Sequence, residues 1–183
     1  MTSAILDPTG IRDSNKEGLE LAPRPGDLRS ARIGLLENGK QNARLFLEDV
    51  AEILRERYGA GQVTLRRKHN IAQPAPAEIR DELVASSDVV VVGVGDCGSC
   101  SASAVLDGIL FERHGKPAAV ICSDAYRATA DAMAEVQGAD GYRYLTTPHP
   151  VAGLTPGQVH ERAETVAAEV AALLGPEASR AAA

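Results

Sequence analysis

Aromatic side chains are scarce in this 183-residue chain: they make up 3% of it, and tryptophan is absent altogether. A platform on which bases or sugar rings stack is therefore not expected. Basic charge is also short. Nineteen Lys and Arg stand against 25 Asp and Glu, a formal net charge of −6, which argues against nucleic acid or an anionic membrane as a partner. No run approaches the roughly 20 apolar residues that cross a bilayer. The N-terminal stretch MTSAILDPTGIRDSN has acidic residues early and no basic segment ahead of an apolar one, so no signal peptide is expected. Cysteine numbers three, an odd set unlike the even framework of a small secreted scaffold. A cytoplasmic protein with reduced thiols is the expectation. Nucleotide signatures are missing too: GVGDCG lacks the G-x-G-x-x-G spacing and no GK[ST] follows a glycine loop. No cofactor is called for, a flavin included.

What remains is ordinary globular composition, 44% hydrophobic and 24% charged, in enough chain for one domain with a sizeable core. Residues 1–30, broken by Asp7-Pro8, Pro23 and Pro25-Gly26, read as an irregular arm, packed on the body or on a second subunit of a homo-oligomer. Residues 176–183 read as a loose tail. Between them, residues 31–175 alternate. Apolar strands are expected at Ile33–Leu36, Gln62–Arg67, Asp88–Gly93, 118–122 and Tyr142–Leu145. Helical spacing is expected at Asn42–Tyr58, Ala77–Ser86, Ser99–Arg113, Ala125–Val136 and Pro156–Leu174. The run VVVV is apolar on both faces, as a central parallel strand must be. Five strands alternating with five helices imply an α/β, doubly wound parallel sheet, and the flavodoxin-like order 2-1-3-4-5 suits this length. Ligands in such sheets bind beyond the carboxyl ends of the strands, where the loops Glu37–Asn42 and Gly95–Ser103 should face each other.

The second of these loops, GVGDCGSCSAS, carries the chemistry. Cys97 and Cys100 are spaced i, i+3 where a buried strand gives way to a helix, so at least one sulfur meets the unpaired N–H groups of the first turn, which favour thiolate. Gly98 permits close approach by a ligand, and the amides near Ser99 and Ser101 suit a carboxylate or phosphate. Asp96 is ambiguous: a carboxylate beside Cys97 opposes thiolate formation, yet it serves equally as a proton acceptor or a helix cap. Asn38, Gly39 and Lys40 follow the first strand; Lys40 reads either as an anion binder or as a solvated lysine. Ser123 and Asp124 follow the fourth strand, where Asp124 is a candidate cap. His149, stiffened between two prolines, suits general acid–base work. Cys122 reads as core, and His69, His114 and His160 as surface. A zinc site built on Cys97, Cys100, Cys122 and His149 is the structural alternative, but no metal is expected.

The stretches ILDPTG, LAPRPGDL, RIGLLENGKQNA and VVGVGDCGSCSAS together resemble the UGSC family, named for a selenocysteine-Gly-Ser-Cys motif in which cysteine replaces selenocysteine in many members. The resemblance puts Cys97 where selenocysteine occurs and makes Cys100 the partner cysteine. The string Cys100-Ser101-Ala102-Ser103-Ala104 is also similar to the cysteine loop of aspartate/glutamate racemases and maleate isomerases, which place thiols on either side of a small carboxylate. This chain has one such half, so a second thiol would be Cys97 or come from another subunit.

Three functions stay open at this point. One is a cysteine-dependent enzyme of isomerase or lyase type. In it Cys97 adds to a small carbonyl or carboxylate metabolite or moves its α-proton, and Cys100, His149 or Asp96 is the acid–base partner. Asn38, Gly39, Lys40, Gly98, Ser99, Ser101 and Ser123 would hold the substrate. The second is a thiol–disulfide oxidoreductase cycling Cys97 and Cys100, which selenocysteine in relatives favours. The third is a non-catalytic small-molecule or partner-binding subunit.

Overall fold

The computed structural model describes residues 18–175. The proposed tail at 176–183 and residues 1–17 of the arm lie outside them. Five parallel strands form one sheet in the order β2-β1-β3-β4-β5. They are β1 (Ile33–Glu37), β2 (Val63–Arg67), β3 (Val89–Gly95), β4 (Ala118–Ser123) and β5 (Leu145–Thr147). The helices that alternate with them are α1 (Ala43–Tyr58), α2 (Ala77–Ser86), α3 (Gly98–Arg113), α4 (Arg127–Val136) and α5 (Pro156–Leu174). This is the doubly wound, flavodoxin-like arrangement that the alternation implies.

Burial follows the apolar pattern. β1, β3 and β4 are buried along their whole length, whereas β2, at the sheet edge, is half-exposed. Alternate residues of the central strands feed two cores. Leu35, Val91 and Ile121 meet α1 and α5 on one face, and Leu36, Val92 and Val120 meet α2, α3 and α4 on the other. Each strand is thus apolar on both sides because each side has a helix layer to cover it. Helix α5 opens with a capping box, Thr155 with Gln158, and proline at its first position.

One strand differs from expectation. Tyr142–Leu145 has strand-like alternation, but β5 begins only at Leu145, which pairs with Ile121. Tyr142 belongs to a turn, its N–H donated to the Ala139 carbonyl at 2.9 Å, and its ring is buried with the hydroxyl directed at Gly108. Tertiary packing therefore takes both tyrosines out of the ladder; the Tyr144 hydroxyl goes to Asp131 at 2.6 Å.

The described part of the arm packs on the protein's own body. Ala22 and Leu28 are buried. Arg24 donates to both carboxylate oxygens of Glu112 at 2.7 and 2.8 Å, and the side chains are only 3% and 0% exposed. The same carboxylate accepts the amides of Ala22 at 2.8 Å and Ala118 at 2.9 Å. A second buried ion pair ties the loop after β2 to α3. Lys68 donates to Asp107 at 2.5 Å, to Ser103 at 2.7 Å and to the Gln73 carbonyl at 2.9 Å, filling all three of its N–H positions. No helix among the described residues is long and apolar enough to cross a membrane.

Candidate thiol site at the carboxyl edge of the sheet

Strand β3 delivers the cysteines to the sheet's carboxyl edge. Its register with β4 shifts between Val92 and Gly95, and the chain turns into α3 two residues beyond the strand. Gly95 is required here, since a Cβ would sit 2.7 Å from the Cys122 sulfur and 2.8 Å from the Ser101 Cα. Gly98 is in open surroundings, with only the Thr129 hydroxyl 3.8 Å from where a Cβ would stand.

Cys97 is the N-cap of α3. Its sulfur accepts from the Cys100 amide at 3.3 Å and lies 3.7 Å from the Ser99 hydroxyl. Cys97 and Cys100 are joined in a disulfide with Cα atoms 5.1 Å apart. Access to the two sulfurs is unequal: Cys97 is half-buried, whereas Cys100 is 0% exposed. The Cys97 sulfur thus sits at the N-terminal end of the α3 dipole with the Cys100 amide donating to it.

Asp96 does not cap α3, the position being taken by Cys97. Its carboxylate is buried and gathers the neighbouring loops instead. The Ser123 hydroxyl and the His149 Nδ1, at 3.0 Å, bind Oδ1. The Val151 amide reaches both oxygens at 3.1 Å, and the Ala152 amide reaches Oδ2 at 3.0 Å. Burial works against the charged form, but the hydrogen bonds from Ser123, Ala152, Val151 and His149 outweigh it, holding the carboxyl below its ordinary range. An anionic Asp96 accepts from Nδ1–H and thereby leaves Nε2 of His149 as the free ring nitrogen. The Tyr126 ring meets the His149 ring edge-on, with centroids 5.3 Å apart. Asp124 caps no helix through its side chain either; it accepts the His149 amide at 3.0 Å.

The other candidates divide. Ser123 reaches the site through Asp96. Ser101 is fully buried and donates to the Gly95 carbonyl at 3.0 Å, and the buried Asn38 amide donates to the Val94 carbonyl at 2.8 Å. Both hydroxyl and amide are thus committed to backbone carbonyls of β3. Gly39, at φ 85°, donates to Glu37, while Lys40 lines a cleft of about 440 Å³ with Glu37, Arg44 and Arg67 on the β2 side of β1. Ser99 is exposed beside Cys97. Cys122 is buried in the core, which pushes its thiol up to about 12. His69, His114 and His160 are on the surface. Among the described residues no three His, Cys, Asp or Glu side chains are grouped to hold a metal ion.

Sequence reasoning missed the Val151 and Ala152 amides, for which side-chain identity leaves no signal. It also missed Tyr126 and Thr129, which stand against His149 and Gly98. The rarity of aromatics could have drawn attention to Tyr126.

A doubly wound sheet with a cysteine pair at the first turn of the helix after its central strand defines a thiol protein of the α/β class. Residues 4–176 match the UGSC family, and the chain belongs to that family. Among solved structures, the flavodoxin-like domain of a Synechococcus sp. protein is similar at 13% identity, covering 76% of this chain and 98% of that one with a TM-score of 0.37. No curated protein matches the chain.

Proposed function

We propose that the protein is a thiol–disulfide oxidoreductase in which Cys97 attacks and Cys100 resolves. The observation that carries this reading is the closed pair itself, with one sulfur reachable and the other buried. Addition to a carbonyl needs no second thiol within bonding distance; disulfide cycling does. The Cys97 thiolate attacks one sulfur of a substrate disulfide, forming a mixed disulfide and expelling the first thiolate. Cys100 then loses its proton and attacks the Cys97 sulfur, closing the intramolecular disulfide and expelling the second thiolate. The substrate gains two electrons and the pair loses two; an external dithiol returns them by the reverse exchange. Asp96, the residue before Cys97, holds His149, whose imidazole is of the type suited to accept the resolving thiol's proton or return one to the departing thiolate.

A specific observation favours a second reading. A histidine oriented by a buried carboxylate is more than disulfide exchange requires, and it suits a cysteine enzyme that moves a proton on a small carbonyl or carboxylate compound. Cys100 separates the two, because only the redox reading needs its thiol.

Mass spectrometry after graded iodoacetamide labelling tests the proposal on wild type, Cys97→Ser and Cys100→Ser between about pH 5 and pH 9. The reduced wild type should label at Cys97 below neutral pH and sparingly at Cys100. Mild oxidant should remove two hydrogens from wild type alone, and Cys100→Ser should accumulate a mixed disulfide. Resistance of both thiols until the protein unfolds would overturn the reading. So would turnover in Cys100→Ser as fast as in wild type, which would favour the carbonyl chemistry.

A further inference from the structure

We infer that Ser103, set in place by the buried Lys68, donates a hydrogen bond to the Cys100 sulfur when that sulfur is a thiolate, and so makes a shielded cysteine able to resolve. The inference deepens the thiol–disulfide reading above and rests on it. Under that reading Cys100 must ionise before it attacks, yet it is 0% exposed. Burial opposes thiolate formation, as it does at Cys122, whose thiol it pushes up to about 12. A resolving cysteine so placed needs a donor aimed at it.

Helix periodicity supplies one. Ser103 follows Cys100 by three residues on α3, so the two are neighbours on the helix surface, with Cβ atoms about 5–6 Å apart. Helical side chains lean toward the N-terminus, which carries the Ser103 hydroxyl toward the Cys100 turn. Ser103 is buried as well, and so is Lys68, which donates to its oxygen at 2.7 Å. An ammonium group cannot accept, so the direction of that bond is fixed and the Ser103 proton is left for another acceptor. Among the described residues it has none, whereas the neighbouring Ser101 hydroxyl is spent on the Gly95 carbonyl.

Charge is arranged in the same sense. Lys68 also binds Asp107 at 2.5 Å, and Asp107 lies four residues beyond Ser103 on α3. The cation therefore meets α3 one turn from Cys100 and the carboxylate two turns away. The pair turns its positive end toward the cysteine, as the helix dipole does. A buried ion pair adds little stability that apolar side chains of the same volume would not supply; beside a thiolate its field has a use. In the resolving step the Cys100 thiolate attacks the Cys97 sulfur, the S–S bond forms and the substrate thiolate leaves. The Ser103 hydrogen bond exists before the step and is given up after it. No proton or electron passes through Ser103 or Lys68, so Ser103 touches the reacting atom and Lys68 is a positioning residue.

Two measurements test this together. In Cys97→Ser, ultraviolet absorbance follows ionisation of the Cys100 thiol, and adding Ser103→Ala should raise its midpoint by about one pH unit, the worth of one hydrogen bond to a charged group. In the chain with both cysteines, 2,2′-dithiodipyridine releases one thiolate on attack by Cys97 and a second on resolution by Cys100. Ser103→Ala should leave the first rate unchanged and slow the second about threefold, because a thiol of higher pKa is less ionised but more nucleophilic. Ser103→Thr, which keeps the hydroxyl, should restore both readings. Lys68→Met combined with Asp107→Leu removes the ion pair without stranding a charge and should move both in the direction of Ser103→Ala. An unmoved midpoint in Ser103→Ala would overturn the inference, and so would a slower second release without a shifted midpoint, which a merely structural role would give. Failure of wild type to release the second thiolate would instead overturn the thiol–disulfide reading, and this inference with it.

Discussion

Replacing Asp96 with asparagine should destabilise the protein in a way that disappears in acid. The carboxylate takes the Ser123 hydroxyl and His149 Nδ1 on one oxygen and the Ala152 amide on the other, with the Val151 amide shared between them. An asparagine keeps one oxygen and turns an NH2 toward whichever donors faced the other. In either orientation at least one buried donor loses its acceptor, at about 1–3 kcal/mol, and the remaining bonds lose their charge assistance, about 1 kcal/mol more. The sum is about 2–4 kcal/mol, or roughly 4–16 °C in Tm for a chain of this size. The pH dependence has a definite sign. The Asp96 carboxyl is held below its ordinary value in the folded protein, so its contribution is complete above the unfolded value of about 3.9 and is lost as pH falls through the folded pKa. Urea unfolding of wild type and Asp96→Asn at neutral pH, and again in steps below about pH 4, measures this directly. A neutral-pH difference under about 0.5 kcal/mol would refute the account of the hydrogen bonds. A gap that persists undiminished in acid would refute the ionised carboxylate.

Further outcomes follow from contacts elsewhere. Arg24→Ala should cost about 3–5 kcal/mol in urea unfolding, because it leaves the fully buried Glu112 without its cation; a loss below about 1 kcal/mol would mean that water reaches the carboxylate. Gly95→Ala should lower stability by about 1–3 kcal/mol or more, since its Cβ collides with the Ser101 backbone, whereas Gly98→Ala should be far milder. Thermal melts of the two variants side by side check this, and equal Tm losses would contradict it. Cys122 should resist iodoacetamide in the native protein at mildly alkaline pH and label only on unfolding, because burial holds its thiol up at about 12; peptide mapping after a timed label reads this out.

The alternation of strands and helices was legible because each period has one physical meaning. VVVV is buried on both faces, and the helically spaced Leu47, Val50, Ile53 and Leu54 of α1 meet the core, with Leu45 only partly buried against it. The strand order, too, followed from that alternation and the chain length. β5 was misplaced by three residues because Tyr142 and Tyr144 have strand propensity, yet both were claimed by partners distant in sequence. The cysteine loop announced itself through glycine and cysteine at a strand–helix junction. The wiring of Asp96 did not, since two of its donors are main-chain amides and the others are side chains 27 and 53 residues away. Asn38 and Ser101 have the residue types of a binding site, and only the fold reveals that their polar atoms are bound to carbonyls of β3.

The grip of Arg24 on Glu112 bears on the order in which the chain assembles. The two residues are 88 apart, and the acceptor carboxylate is held in place by α3 and by the first amide of β4. Arg24 leaves the ribosome well before Glu112, and its docking place does not exist until β4 has been made. Closing so long a loop early would cost entropy with nothing to repay it. Stalled nascent chains ending before Ala118 should therefore be cut by protease within residues 18–30, and chains ending beyond α5 should be protected there; early protection would contradict this order. The opening segment of the described chain is thus one of the last to find its place.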